Sequence, residues 1–244
     1  MATRSEQKTP VYLQYGCGFS VGKDWLNFDS SPTLRIERLP LIGRMLGRVS
    51  GNVQRFPDAV RYGDIVKGLP IQESSVRGVY ASHVLEHLAL DDFRKALRHT
   101  LKILEPGGVF RLIVPDLEER ARRYVHQASE GSSEASGTFM RTCYLGLEQR
   151  PSSVFGQVRA AIGGSAHLWM WDEASMTHEL KSAGFTSVRR CEFGDADDVM
   201  FSQVEDAGRF IEKSLDLKEL AIEARKPSVP SAMDDIKGSV MTSQ

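Results

Sequence analysis

Val11-Tyr12-Leu13-Gln14-Tyr15-Gly16-Cys17-Gly18 is the stretch from which the rest of the chain is read. An apolar run rich in β-branched and aromatic residues stops at two glycines, the pattern of a buried strand entering a tight turn. Glycine lets a backbone approach a ligand with no Cβ in the way. On its own, Gly-x-Gly after a strand is more often a plain turn than a ligand site. The third glycine of the dinucleotide fingerprint would fall on Val21, which argues against a nicotinamide enzyme.

Downstream, the same strand-then-polar-turn pattern recurs. Trp25 to Phe28 is a short strand ending at Asp29, Ala59 to Tyr62 ends at Gly63-Asp64, and Val76 to Ala81 ends at Ser82-His83. A helix follows, with Asp91 as N-cap and Phe93, Leu97, Leu101 and Leu104 on one apolar face. Pro106-Gly107-Gly108 ends it, and Val109 to Val114 forms a central strand ending at Pro115-Asp116. Strands alternating with helices predict a parallel sheet covered on both faces, whose ligands lie beyond the carboxyl ends of the strands. Residues Glu118 to Met170 break the rhythm around a Gly/Ser patch from Gly131 to Gly137 and read as a helical cap over that rim. A helix from Asp172 to Ala183, capped by Asp172 and stopped by Gly184, precedes the last strands, Thr186 to Phe193 and Leu217 to Arg225. The expected fold is therefore α/β: a Rossmann-like, doubly wound, seven-stranded, mostly parallel sheet whose last pair is antiparallel, with a helical cap insertion at about 118–170. One domain spans 1–226, and 227–244 is a polar, disordered tail.

Composition narrows the function. The 244 residues carry 41% hydrophobic side chains and a net charge of −1, which suits one domain with a sizeable core and no nucleic-acid partner. Three cysteines, Cys17, Cys143 and Cys191, form neither a disulfide framework nor a zinc-finger pattern and suit a reducing cytoplasm. The first ten residues lack the apolar centre of a signal peptide, and no apolar run approaches the roughly 20 residues a membrane-spanning helix needs. Arg35, Arg38, Arg44, Arg48 and Arg55 interleave with apolar residues between Leu34 and Arg55. That segment is either a solvated cationic face or a peripheral contact with a membrane or lipid-linked substrate.

The ordered motifs resemble those of class I S-adenosylmethionine-dependent methyltransferases, of the type 11 branch. Tyr12 to Gly18 is similar to the family's first motif, Asp29 falls at the acidic second-strand position, and Gly63-Asp64-Ile65 with Leu69-Pro70 resembles the third. Ser82-His83-Val84-Leu85-Glu86-His87-Leu88 and Leu104 to Gly108 resemble the rest. The resemblance spans about Val11 to Asp116, with His167-Leu168-Trp169 and Ala183-Gly184-Phe185 resembling the closing region. It implies S-adenosylmethionine as cofactor, held by Gln14, Tyr15, Gly16, Cys17, Gly18, Asp29, Asp64, Ile65 and Ser82. Asp29 would accept from the ribose hydroxyls and Asp64 from the adenine amino group. Gln14 stands where the family commonly has an acid or Asn. Only eleven positions separate Gly18 from Asp29, so the usual connecting helix shrinks to a loop.

For the reaction, the resemblance favours O-methylation of a small-molecule, sugar or lipid-linked acceptor. His83, at the fourth strand's end, is the first expected general base, followed by His87, Asp116 and His167. Two alternatives stand beside this: a non-catalytic S-adenosylmethionine-binding protein, and a zinc hydrolase through His83-x-x-Glu86-His87. The second requires helical spacing that a strand end does not supply, so no metal site is expected.

Overall fold

The computed structural model describes residues 11–38, 55–146, 149, 166–213 and 215–228. Its strands are β1 (Val11–Tyr15), β2 (Trp25–Asp29), β3 (Val60–Tyr62), β4 (Val76–Ser82), β5 (Leu104–Val114), β6 (Thr186–Arg190), β7 (Ile211–Glu212), β8 (Leu217–Lys218) and β9 (Leu220–Arg225). Its helices are α1 (Pro32–Glu37), α2 (Leu90–Ile103), α3 (Leu117–Ser129), α4 (Ala135–Thr142) and α5 (Glu173–Ser182). Seven strands form one sheet in the order β3-β2-β1-β4-β5-β9-β6, and β7 and β8 pair separately. Strands β1 to β5 are joined in parallel, while β9 runs antiparallel to both β5 and β6. The expected doubly wound architecture is what the chain adopts.

Alternation along the strands sends side chains to two different covers. Leu13, Val79, Ala81, Leu112 and Ile222 pack with α2 through Phe93 and Leu97, and with α5 through Met176 and Leu180. Tyr12, Tyr80, Val109, Ile113 and Ala221 face the other way, onto Cys191, Phe201 and Phe210. This second cover is no long helix but an irregular strap, residues 191–210, with two short 3-10 turns at Val199–Gln203 and Ala207–Arg209.

A buried ion network pins the strap. Arg111, in the middle of β5 and 1% exposed, points to the strap side. Its guanidinium donates to Glu205 Oε1 (2.8 Å), Glu223 Oε2 (2.7 Å), Asp195 Oδ1 (3.0 Å) and the Glu192 carbonyl (3.1 Å). Arg189 joins it, donating to Asp195 Oδ2 (2.7 Å) and Glu223 Oε2 (3.2 Å).

Several local expectations need correction. Asp91 is not the N-cap of α2. The cap position is Ala89, with no side-chain hydrogen bond, and Asp91 and Asp92 lie in the first turn, where they favour the helix dipole. Pro106-Gly107-Gly108 does not separate helix from strand. The chain leaves α2 directly into β5 at Leu104, and the three residues form an irregularity within that strand. There a step from Val76 to Gly78 on β4 faces Leu104 to Val109 on β5, and Gly107 takes φ +78°. The last strand divides because Leu217–Lys218 pairs with β7, whereas Leu220–Arg225 pairs with β5. Asp172 caps α5 in a full capping box with Ser175, and Gly184 follows at φ +102°, as the sequence predicts.

Arg38 donates to Asp58 and to the Pro57 and Val60 carbonyls, and Arg35 sits over the Tyr62 ring at 5.7 Å. Arg44, Arg48, residues 150–165 of the expected cap and residues 229–244 of the expected tail lie outside the described residues. Among the described residues no helix is long and apolar enough to cross a membrane.

Removing one partner of a buried ion network strands the others uncompensated. Arg111→Ala should therefore cost about 3–5 kcal/mol, read as a lower urea midpoint at neutral pH. Burial raises the Asp195 carboxyl, but hydrogen bonds from Arg189, the Glu192 amide and Arg111 outweigh it and hold the group below the ordinary carboxylate range. A depressed carboxylate stabilises the fold above its unfolded pKa, and that contribution is lost as pH falls through the folded value. Urea midpoints of the parent should thus fall from neutral pH toward pH 3, and the fall should be shallower in Asp195→Asn.

Candidate active site

The turn after β1 is built by glycine at two positions for two reasons. Gly16 has φ +63°, and a Cβ there would stand 2.1 Å from Val84 Cγ2. Gly18 has φ +54°, and a Cβ there would meet no atom within 4 Å, so its outer side is open. Asp29, at the end of β2 and 8% exposed, ties the turn to the neighbouring strand. It accepts from the Gly18 amide (2.9 Å) and the Ser31 amide (2.7 Å). The Gly63 amide donates to the Asp29 carbonyl (3.0 Å), which sets Asp64 beside this acid. Asp64 closes its own turn by accepting from the Val66 amide (3.0 Å), and the Ile65 carbonyl faces His99 Nδ1 at 2.8 Å.

The other residues expected here divide between backbone and side-chain parts. The Tyr15 ring turns into the α2-side core, its hydroxyl accepting from Thr100 (3.3 Å), so only its backbone belongs to the turn. Gln14 spends its amide hydrogens on Asn27 Oδ1 (2.6 Å) and the Ser20 carbonyl (3.1 Å), which leaves its carbonyl oxygen as the group to offer. Burial, with Asp29 adding to it, pushes the Cys17 thiol up to about 12, so Cys17 packs and does not react. Ser82 Oγ and Tyr80 OH line the cleft beside Gly16, are buried near one another, and make no well-aligned hydrogen bond among the described residues. The strap closes the cleft with Val204, Asp206 and Arg209.

Arg209 also walls a second cavity, of about 380 Å³, beyond the ends of β4 and β5. His83, Glu86, His87, Arg120, His167 and Glu219 line it. His83 sits at φ +53°, so β4 ends abruptly and Leu85–His87 form a 3-10 turn. The His83-x-x-Glu86-His87 segment is thus not helical, and the zinc-hydrolase geometry is absent. The Leu168 and Trp169 amides donate to the Glu86 carbonyl (2.8 and 3.2 Å), which brings His167 next to Glu86. The His87 and His167 rings meet edge-on, 5.1 Å between centroids. At the cavity wall Arg120 makes a bidentate pair with Glu219 (2.9 and 3.0 Å) and also holds the Thr142 carbonyl.

The expected bases differ in what their lone pairs do. His83 Nε2 lies 2.9 Å from the Arg209 carbonyl and Nδ1 lies 3.4 Å from Glu86. Burial alone would lower its pKa, but Glu86 and the Arg209 carbonyl raise it above the ordinary histidine value. With acceptors against both nitrogens, His83 is poorly placed to accept a proton from an acceptor hydroxyl. His87 donates Nδ1–H to the Ala166 carbonyl (3.1 Å), which leaves Nε2 as a lone pair. Burial drives His167 down to about 4 in spite of Glu86, so it is neutral at pH 7, and its Nδ1 has no partner. Asp116 is committed elsewhere: it caps α3 by accepting from the Glu118 and Glu119 amides and pairs with Arg190 at 2.7 Å.

The strap residues Val204, Asp206 and Arg209, and the Arg120–Glu219 pair, had no sequence signal as site residues. Asp206 does carry the local mark of a turn, since its side chain accepts from the Gly208 amide, but that mark says nothing about where the turn lands. Glu86 stood inside a quoted motif with no role given to it.

A parallel sheet, a glycine turn at the end of its first strand and an acid at the end of its second define a domain that binds an adenosyl group at its carboxyl rim. Residues 13–112, less than half of the chain, match the type 11 family model described as a methyltransferase domain. That match supports a class I S-adenosylmethionine-dependent methyltransferase of the type 11 branch, with S-adenosylmethionine as its cofactor. No curated protein matches the sequence. Among solved structures it is similar to a SAM-dependent methyltransferase from Methanosarcina mazei (15% identity over 91% of this chain and 95% of that one, TM-score 0.49). It is also similar to the complex of the Haloferax volcanii Trm112 methyltransferase activator with a methyltransferase (16%, 91% and 84%, 0.46). A third is the Burkholderia thailandensis 1,6-didemethyltoxoflavin-N1-methyltransferase with 1,6-didemethyltoxoflavin and S-adenosylhomocysteine bound (15%, 90% and 72%, 0.43).

The residues at the glycine turn fit this cofactor. Open space lies over Gly18, and two buried hydroxyls, Ser82 and Tyr80, make no well-aligned hydrogen bond among the described residues. The two glycines should therefore respond differently to alanine. Gly16→Ala should lower thermal stability, with Val84→Ala restoring part of it. Gly18→Ala should cost about 1–2 kcal/mol of backbone strain but lower S-adenosylhomocysteine affinity well beyond what Gly16→Ala does, as measured by calorimetry.

Proposed function

We propose that this enzyme transfers a methyl group to a hydroxyl oxygen of a small polar acceptor, such as a sugar, a small metabolite or the headgroup of a lipid-linked molecule. The observation that carries this reading is the 380 Å³ cavity, lined by charged and hydrogen-bonding side chains and sharing Arg209 with the cofactor cleft. When bound, S-adenosylmethionine supplies an electrophilic methyl group, so the protein's part is alignment and management of the acceptor's proton. We assign the Gly16 and Gly18 backbone, Asp29, Asp64 and Ser82 to the cofactor, and Arg120, Glu219 and Arg209 to acceptor orientation.

Glu86, His87 and His167 activate the hydroxyl in this reading. They face the cavity with lone pairs and with no hydrogen-bond donor among them directed at Glu86. His83, expected to be the base, instead donates and steadies the strap at Arg209. The region expected as a cap supports a role in acceptor choice, since Arg120 on α3, Tyr144 after α4 and His167 all come from it.

His87→Ala and His167→Ala should each lose roughly a hundredfold to ten-thousandfold in turnover, the range of acid–base assistance, and keep S-adenosylhomocysteine affinity within about threefold. A panel of sugars and hydroxylated metabolites assayed for S-adenosylhomocysteine release tests the acceptor class. Transfer only to amines or carbon acids would replace the O-methyl reading.

A further inference from the structure

Glu86 is fully buried, 0% exposed, yet among the described residues neither carboxylate oxygen has a well-aligned hydrogen bond. A buried carboxylate without donors is costly unless a cation balances it. Its nearest nitrogen neighbours are His83 Nδ1 at 3.4 Å and His87 Nε2 at 3.9 Å. His83 turns its other nitrogen away, onto the Arg209 carbonyl. Of the two arginines at the wall, Arg120 is committed to Glu219 and to two backbone carbonyls, and Arg209 also lines the cofactor cleft. The side chain thus lines the cavity with His83 as its close neighbour and with acceptor capacity left over.

Two imidazoles complete the arrangement. One ligand atom from each of Glu86, His87 and His167 lies within 4.8 Å of the others. His87 is oriented for this: Nδ1–H is fixed on the Ala166 carbonyl, the outer-shell bond that aims a ligating histidine, and Nε2 is free. His167 is buried, and among the described residues its Nδ1 has no hydrogen-bond partner. The Glu86 backbone carbonyl, bonded to the Leu168 and Trp169 amides, locks the third ligand's segment to the first. Two histidines and one carboxylate beside an open cavity are the ligand set of a divalent transition metal with positions left for a substrate.

We propose that Glu86, His87 and His167 bind one divalent cation of the zinc type, with its open coordination positions facing the cavity. The inference deepens the proposed function, on which its role toward an acceptor hydroxyl rests. The site itself stands on the three side chains alone. It is not the His83-x-x-Glu86-His87 pairing, because His83 lies outside the ligand set.

The test uses the full chain, stripped with a chelator and dialysed, with no cofactor or acceptor present. Zn²⁺ uptake is read by elemental analysis after equilibrium dialysis, and Co²⁺ serves as a visible-absorbance reporter of nitrogen ligation. One metal per chain is expected. His87→Ala and His167→Ala should each weaken it by at least about a hundredfold, beyond the roughly 10–100-fold that loss of an outer partner costs. Glu86→Gln should do the same, and His178→Ala, an exposed histidine on α5, should bind fully. Melting curves confirm that each variant is folded, and if Glu86→Gln is not, the two histidine variants decide. No uptake by the parent, or uptake undiminished in both histidine variants, overturns the site. Because uptake is measured apart from catalysis, its failure leaves O-methyl transfer standing, and a failure to find an O-methyl acceptor leaves the metal result standing.

Discussion

A single buried guanidinium organises the side of the molecule on which the chemistry sits. Arg111 rises from the middle of β5 into a layer where a helix would usually lie, and it gathers Glu205, Glu223 and Asp195 around itself. A charge taken out of water demands this saturation, since the desolvation of each ion is regained only through close, well-aligned partners. Two of those partners, Asp195 and Glu205, belong to the strap. The network therefore does more than neutralise charge. It fixes the path of residues 191–210 across the sheet, and the Phe201 ring beneath the guanidinium, 5.6 Å from it, fills the space between.

That path explains the cofactor cleft. Between Gly18 and Asp29 the chain has room only for a loop, so no helix stands over β1 on the strap side. The strap takes that place, with Trp25 set against Phe201 and its indole donating to the Met200 carbonyl. Past Phe201 the strap delivers Val204, Asp206 and Arg209 to the glycine turn. A shortened connection early in the sequence is thus matched by an extended segment almost two hundred residues later, and the wall of the cofactor cleft comes from the late segment.

The distinction between legible and illegible parts follows the same line. The rim was legible because it is local: strand ends, Gly16, Gly18, Asp29 and the Asp172 capping box are each set by a few neighbouring residues. Asp91 misled because an acid near a helix start suits both the cap and the first turn, and only the Ala89 backbone decides between them. Pro106-Gly107-Gly108 misled because its glycine conformation serves a strand irregularity as well as a turn. The strap was illegible because its fold depends on Arg111, Glu205 and Glu223, which are far apart in sequence and meet only across the sheet. The role of Glu86 was hidden for a related reason. Its importance lies in its meeting with His87 and His167 at one cavity, and His167 comes from far along the chain.

His83 joins the two halves of the site. A non-glycine residue at φ +53° carries strain of about 1–2 kcal/mol, so something must hold it there. On one side its amide donates to the Ile113 carbonyl (2.9 Å), which closes the end of β4 against β5. On the other its ring holds the Arg209 carbonyl, the strap residue common to both cavities. The same kink turns the chain so that Glu86 and His87 come under the second cavity instead of continuing along the strand. Glycine would adopt the conformation without strain but would release the strap, and a β-branched residue would resist the kink. Histidine at this position thus reconciles a sharp stop in β4 with a fixed wall between the cleft at the glycine turn and the second cavity, which a base free to take up protons would not require.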